Sequence, residues 1–294
     1  MMRIQKFIHR ASGSLVVLLT VVAISLCSAM PAFAASATPA KATSGGFSQR
    51  YVQITTKSNT AGAFTFLDYV TDNNNPNALL FVAETAGTFD NVHVGVTYVS
   101  FLGKWAIFNE NLTPMPIGTQ FDVVSITSPV TSDGGPDVYT VTASKSNISG
   151  DELFLNDPVV TNNPNADLIV TSQWPLFNFH DIDSHAIGVR YNSATGQWAL
   201  YHEDRSPFHV GAIYNVFFGS FLQAEYIATV NNLGQACVTP GWVDSSTFLP
   251  VITHVFNGKR IPDVLDVTYN TTTTQWCIFD HKGTLPANEI FFMN

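Results

Sequence analysis

Tyr98, followed by Lys104-Trp105-Ala106-Ile107-Phe108-Asn109-Glu110, returns as Tyr191 with Gln197-Trp198-Ala199-Leu200-Tyr201-His202-Glu203. It returns again as Tyr269 with Gln275-Trp276-Cys277-Ile278-Phe279-Asp280-His281. In each case the Tyr leads the Trp by seven residues. Aromatic and β-branched residues crowd these stretches, which is strand composition. Alternate residues of a strand point to opposite faces. Val94, Val96 and Tyr98 therefore share a face, as do Trp105 and Ile107, with Phe108 opposite. Both faces of the Trp strand are apolar, so it is expected to be central and covered on both sides.

The likeness extends outward. Tyr51–Val82 aligns without a gap to Tyr139–Val170, sharing Lys57-Ser58-Asn59 with Lys145-Ser146-Asn147 and Asn75-Pro76-Asn77-Ala78 with Asn163-Pro164-Asn165-Ala166. Downstream, Pro114, Gly118 and Phe121 match Pro207, Gly211 and Tyr214. The last stretch keeps Pro286 and Phe291 and has lost the Gly. Self-similarity at this period is the mark of a repeat architecture with copies of about eighty residues.

In the first copy the runs 51–55, 63–70, 78–83, 93–99, 104–108 and 120–126 read as strands, and no window carries a sustained helical period or a convincing cap. The chain is therefore expected to be all-β, with three tandem repeats, each a six-stranded antiparallel small barrel or sandwich. The boundaries fall at 1–34 for a signal peptide, 35–48 for a flexible linker, 49–127 for the first repeat and 128–137 for a second linker. Residues 138–222 form the second repeat and 223–294 the divergent third. Three units can stand in a row or pack around a pseudo-threefold axis. The Pro- and Gly-bearing stretch 128–136 favours a row, with closer packing between the second and third copies.

The combination of Asn-Pro-Asn-Ala, the Gly-Val-x-Tyr stretch at 95–98 and 188–191, Trp-Ala-Ile-Phe-Asn-Glu at 105–110 and Met-Pro-Ile-Gly at 115–118 resembles a repeated β-rich domain of secreted bacterial proteins, a family of unknown function. Residues 75–121 and 163–214 carry the pattern, and 239–291 keep its Tyr, Trp, Pro and Phe skeleton. The resemblance implies an exported β-rich module and supplies no catalytic residues.

Arg3, Lys6 and Arg10 precede an uncharged stretch from Ala11 to Met30, and Pro31-Ala32-Phe33-Ala34 ends in the small-x-small pattern of a cleavage site. The expected mature protein is secreted. Ser12, Ser14, Ser25 and Ser28 argue against the competing reading of a retained membrane anchor. Cleavage removes three of the thirteen basic residues and no acidic one, taking the net charge from −9 to −12. Nucleic-acid binding needs a basic footprint and is excluded. No second apolar stretch of membrane length follows, so the mature chain is not expected to be an integral membrane protein. Oligomeric state is not written in the sequence.

Two cysteines then survive, Cys237 and Cys277. In an oxidising compartment a disulfide is the default. The plainer alternative is that Cys277, standing where the other copies have Ala106 and Ala199, fills a small core position.

The densest polar cluster is His180-Asp181-Ile182-Asp183-Ser184-His185. His180, Asp181, Asp183 and His185 are metal-ligand types, with imidazole suiting zinc and carboxylate suiting zinc or calcium, although a hydrophilic surface loop reads the same way. Glu110 and Glu203, with Asp204 as a partner, could be imagined as a glycosidase-like carboxylate pair. The third copy has His281 there, and a solvated strand end explains the two glutamates equally well. No nucleophile elbow, zinc-protease pair or phosphate loop is present, so neither catalysis nor a cofactor is expected. The Asn-rich loops suit left-handed turns. Trp174, Phe177, Phe179 and Trp242 lie outside the shared pattern and are candidate sugar-stacking platforms, with core filling the plainer reading of each. The expected function is non-catalytic binding or adhesion to a glycan or cell-surface polymer. The alternative is a structural or self-assembling envelope protein, with an extracellular hydrolase as the remaining reading.

Overall fold

The computed structural model describes residues 48–127, 137–175, 182–218, 224–230, 234–238 and 250–293. The expected signal peptide and both linkers lie almost entirely outside them. Every regular element is a strand. The first segment forms β1 (Ser48–Ile54), β2 (Thr60–Ala61), β3 (Phe64–Phe66), β4 (Leu79–Gly87), β5 (Val94–Val99), β6 (Lys104–Asn109) and β7 (Thr119–Ile126). The second forms β8 (Asp137–Thr142), β9 (Ile148–Ser149), β10 (Glu152–Phe154), β11 (Leu168–Gln173), β12 (Ile187–Asn192), β13 (Gln197–His202) and β14 (Ile213–Phe218). The third forms β15 (Ala224–Val230), β16 (Ala236–Cys237), β17 (Ile252–Val255), β18 (Leu265–Asn270), β19 (Gln275–Asp280) and β20 (Glu289–Met293).

Strand order recurs. The trios β1-β7-β4, β8-β14-β11 and β15-β20-β17 share one pattern, and β2-β3-β6-β5 is matched by β9-β10-β13-β12. Each segment thus builds two small sheets rather than one six-stranded unit, and no sheet closes into a barrel. The sheets also cross segment boundaries. Strand β5 pairs in parallel with β11 at Val96 and Gln173, and β12 pairs in parallel with β17 at Gly188 and His254. Strand β18 lies against β4, so the third segment meets the first. The expected row is therefore wrong. Residues 128–136 read as a spacer by composition, but composition reports how a connection is made and says nothing about which sheet edges meet.

The Tyr–Trp spacing is hairpin register. Tyr98 faces Trp105, Tyr191 faces Trp198 and Tyr269 faces Trp276 directly across their ladders. Their ring centroids lie 5.5, 5.5 and 5.3 Å apart, within the range of favourable aromatic pairing. Strand β6 lies between β3 and β5 and is buried on both faces, as its two-sided apolarity required. Trp105 Nε1 donates to the Asn75 carbonyl at 2.9 Å and Trp198 Nε1 to the Asn163 carbonyl at 2.8 Å. The Asn-Pro-Asn-Ala loops are thereby tied to the Trp strands. Asn74 and Asn162 take the left-handed turn positions, with φ of 57° and 58°, which asparagine tolerates better than most residues. Their backbone N–H groups donate to Gly103 and Gly196, each at 2.7 Å.

Strand β4 separates two cores. Leu80 packs with Val96, Trp105, Ile107, Phe121 and Val123 inside the first segment. Phe81, on the opposite face, joins Ile169, Phe217 and Val251 where the three segments converge. Side-chain bonds stitch the converging strands. Val170 N donates to Thr253 Oγ1 at 3.0 Å, and Asn215 Nδ2 to the Leu80 carbonyl at 3.1 Å.

Cys237 and Cys277 are directly opposed in the β16–β19 ladder and form a disulfide, with Cα atoms 4.0 Å apart. The bond closes a loop spanning 40 positions. In the chain-entropy model such a loop contributes about 4 kcal/mol. The double variant C237A/C277A places at 277 the residue found at the matching positions 106 and 199. It is expected to lose stability of this order in guanidinium unfolding, with reduction of the wild type giving a similar loss.

Candidate functional site

The polar chemistry of the interior is concentrated where one segment meets the next. At the first seam Glu110, just after β6, is buried and bonds Ser172 of β11. Burial holds its carboxyl well above the usual glutamate range, with the Ser172 bond opposing. Gly95 leaves room for this group, since a Cβ there would stand 3.1 Å from Glu110 Oε1 and 2.9 Å from the Phe108 ring.

The second seam repeats the plan with different partners. Glu203 Oε1 accepts from Tyr201 Oη at 2.7 Å and faces His254 Nδ1 at 2.6 Å. Its Oε2 accepts from the Ile261 backbone N–H at 2.8 Å. The other face of the imidazole, at Nε2, meets Glu289 Oε2 at 3.1 Å. Arg260 closes the assembly, lying over the Tyr201 ring at 4.8 Å and pairing with Asp151 at 2.7 Å. Gly188 leaves the space here, since a Cβ would approach Glu203 Oε1 and Tyr201 Oη to 2.5 Å.

At the third seam the roles are exchanged. His281 stands at the position of Glu110 and Glu203, and Asp266 fills the position kept as Gly95 and Gly188. The two bond each other, His281 Nε2 to Asp266 Oδ2. Glu84 of β4 approaches from across the seam. Burial, then the nearby Asp266 charge, raises the Glu84 pKa, and burial raises that of Asp266. The Asp266 bond raises that of His281. Phe89 packs edge-on to Phe279 at 5.1 Å and completes the contact.

Glu110 and Glu203 therefore do not lie on a solvated strand end, the plain reading of the sequence. Only 4% and 3% of their surfaces are exposed, and their oxygens serve the seams. Asp204 sits apart at the surface, where it binds His185 and Ser206. Trp174 is also a core residue, 2% exposed and packed against Phe64 and Phe108, with ring centroids 6.1 and 5.3 Å away. It offers no face to a sugar. Phe177, Phe179, His180, Asp181 and Trp242 lie outside the described residues. Asp183 and His185 are described, and they come together with His202, which sequence reasoning passed over as an ordinary strand residue. The signal available was its divergence from Asn109.

Asp183 Oδ2 meets His202 Nε2 at 2.7 Å and also accepts from Tyr214 Oη. Burial pushes the Asp183 pKa up, but the His202 and Tyr214 bonds outweigh it and leave it lowered. His185 Nδ1 meets Asp204 Oδ2 at 2.8 Å, and the rings of His185 and His202 lie 4.7 Å apart. The first and third segments bring titratable groups to this end of the molecule as well, among them His93 and Lys282. Burial pushes His93 down to about 4, with Lys282 and His185 adding to the effect.

These features define an all-β protein whose buried acids and imidazoles lock sheet edges together. A family model described as a domain of unknown function (DUF7452) matches residues 29–125 and, overlapping them, 95–218. The matches cover more than half of the chain, and the chain belongs to this family. No curated protein and no solved structure gives a significant match. Among the described residues no helix is long and apolar enough to cross a membrane.

Removing one partner from a buried hydrogen-bonded cluster leaves the remaining groups unsatisfied. Glu203→Gln is accordingly expected to cost about 2 kcal/mol in urea unfolding. Glu84 provides a pH test. Its native pKa is raised, so the stability it contributes is complete below its ordinary value of 4.5 and is lost as pH rises through the native value. Glu84→Gln stays neutral throughout. Its stability should match the wild type in acid and fall less as pH rises, as read from thermal unfolding across a pH series.

Proposed function

We propose that this chain consists of three copies of one two-sheet unit packed as a ring, and that it works as an exported, non-catalytic module that binds or adheres at the cell exterior. The observation that carries the non-catalytic reading is the burial of Glu110 and Glu203, with His281 at the matching position half-buried and bonded to Asp266. Glu110 and Glu203 are spent on the next segment, at Ser172 and at His254 and Ile261, and His281 is spent on Asp266 of its own segment. The export signal read at 1–34 and the acidic composition support an extracytoplasmic role, with a glycan or surface polymer as the partner class.

The burial of Trp174 shifts weight toward the second reading, a structural or self-assembling envelope protein. Ile117 and Val210 occupy matching loop positions and are 45% and 54% exposed, an apolar pair suited to contacts between chains. A glycan array and a cell-wall pull-down of residues 35–294 test the first reading, with reproducible binding expected and silence on both overturning it. Concentration-dependent light scattering tests the second. Assembly should rise with concentration and weaken in I117D/V210D, whereas a monodisperse monomer at high concentration would exclude it.

A further inference from the structure

The His202 ring is held by two groups that only accept. Its Nδ1 meets the Ser206 carbonyl oxygen at 2.7 Å, so Nδ1 carries a proton and donates it. In a neutral ring Nε2 then presents a lone pair, and that lone pair faces Asp183 Oδ2 at 2.7 Å. Two lone pairs at this distance repel, so the contact is held either by a proton on one of the two atoms or by an ion that takes both as ligands and moves them slightly apart.

The first segment shows what the same construction looks like without that requirement. There Asn109 occupies the place of His202 and Asp90 that of Asp183. The Asn109 amide donates to Asp90 Oδ2 at 2.6 Å and to the Thr113 carbonyl at 3.2 Å. An amide nitrogen has two hydrogens and satisfies both acceptors by itself. The second segment has exchanged this self-sufficient group for an imidazole. It has also placed His185 where the first has Val92.

The geometry points to a divalent transition-metal site of the zinc class, held by Asp183, His185 and His202. One ligand atom from each lies within 4.8 Å of the other two. Two imidazoles and a carboxylate form a donor set that suits zinc, with a fourth position left for water. Both rings already carry the outer support that metal-binding histidines show. His202 Nδ1 bonds a backbone carbonyl and His185 Nδ1 bonds the Asp204 carboxylate, which turns each Nε2 toward the cluster as the nitrogen to hold the ion, that of His202 already against Asp183 Oδ2. His202 is further fixed by stacking on Phe208, with centroids 3.8 Å apart. The side chains of His185 and Asp204 are 34% and 39% exposed, so the cluster opens to solvent on one side. This inference does not depend on the glycan or assembly readings.

Cobalt(II) alone is the first probe, added to the metal-stripped full-length mature chain. Saturable uptake of one ion with tetrahedral visible absorption, displaced by zinc, is the expected result. Zinc should also raise the melting temperature. His202→Asn rebuilds the Asn109 arrangement and should fold while losing cobalt binding. Asp204→Asn removes only the outer support of His185 and should weaken binding by about 10- to 100-fold. Failure to bind one ion saturably, or equal binding by the wild type and His202→Asn, overturns the proposal. A His202 ring carrying protons on both nitrogens in the metal-free protein, seen by nitrogen NMR and unchanged by zinc, would likewise assign the cation as a proton.

Discussion

An uncovered sheet edge is an unsatisfied row of hydrogen-bonding groups, and this fold is organised around covering three of them. Strands β5, β12 and β18 each end a small sheet, and each would template aggregation if left open. Each is met by a strand of another segment, β11, β17 and β4 respectively. The cover is incomplete as a ladder, because the two parallel pairings extend over only one or two residue pairs. Side chains therefore have to finish the seam. That requirement puts carboxylates and imidazoles into the interior, where they persist only with partners.

The seams also explain a pattern in the sequence that looks like unrelated drift. Gly95 and Gly188 accompany Glu110 and Glu203, whereas Asp266 accompanies His281. A glutamate after the Trp strand reaches back over the neighbouring strand and needs the space a glycine leaves. A histidine in that place needs an acidic partner, and the neighbouring strand provides it. The partner across the seam changes accordingly, from Ser172 to His254 to Glu84. No two seams use the same chemistry, and the third leaves Glu84 Oε2 buried without a hydrogen-bond partner.

Much of the local structure was legible. The central Trp strand, the turn role of the Asn loops and the default pairing of Cys237 with Cys277 are legible in composition, parity and cysteine count. What parity cannot reveal is which sheet a strand joins. It sorts side chains to faces and leaves open whether the covering face belongs to the same segment or another. Trp174 has no counterpart in the first segment, so its sequence position leaves a sugar platform and a core residue both open, and it packs on Phe64 and Phe108 of that segment. Glu110 and Glu203 were misplaced for the same reason, since burial at a seam leaves no periodicity in either of its halves. The two-residue strands β2 and β9 are too short for any pattern to register.

Internal likeness finally separates what holds the fold from what is special to one segment. Positions alike in the first two segments, such as Trp105 with Trp198, Asn75 with Asn163 and Asn59 with Asn147, make matching bonds in both and are explained by folding. Asn59 and Asn147 each accept from a backbone N–H at 2.7 Å, three residues upstream, and donate to a carbonyl five residues upstream. A position that diverges while its surroundings stay fixed requires a different account. Asp183 retains the role of Asp90, and the carbonyl four residues after the strand end retains its role as acceptor. Between them an amide that satisfies both acceptors gives way to an imidazole, while beside it Val92 gives way to His185 and Phe121 to Tyr214, whose hydroxyl also donates to Asp183. The amide serves folding in the first segment, so this exchange is the observation on which the proposed metal site rests.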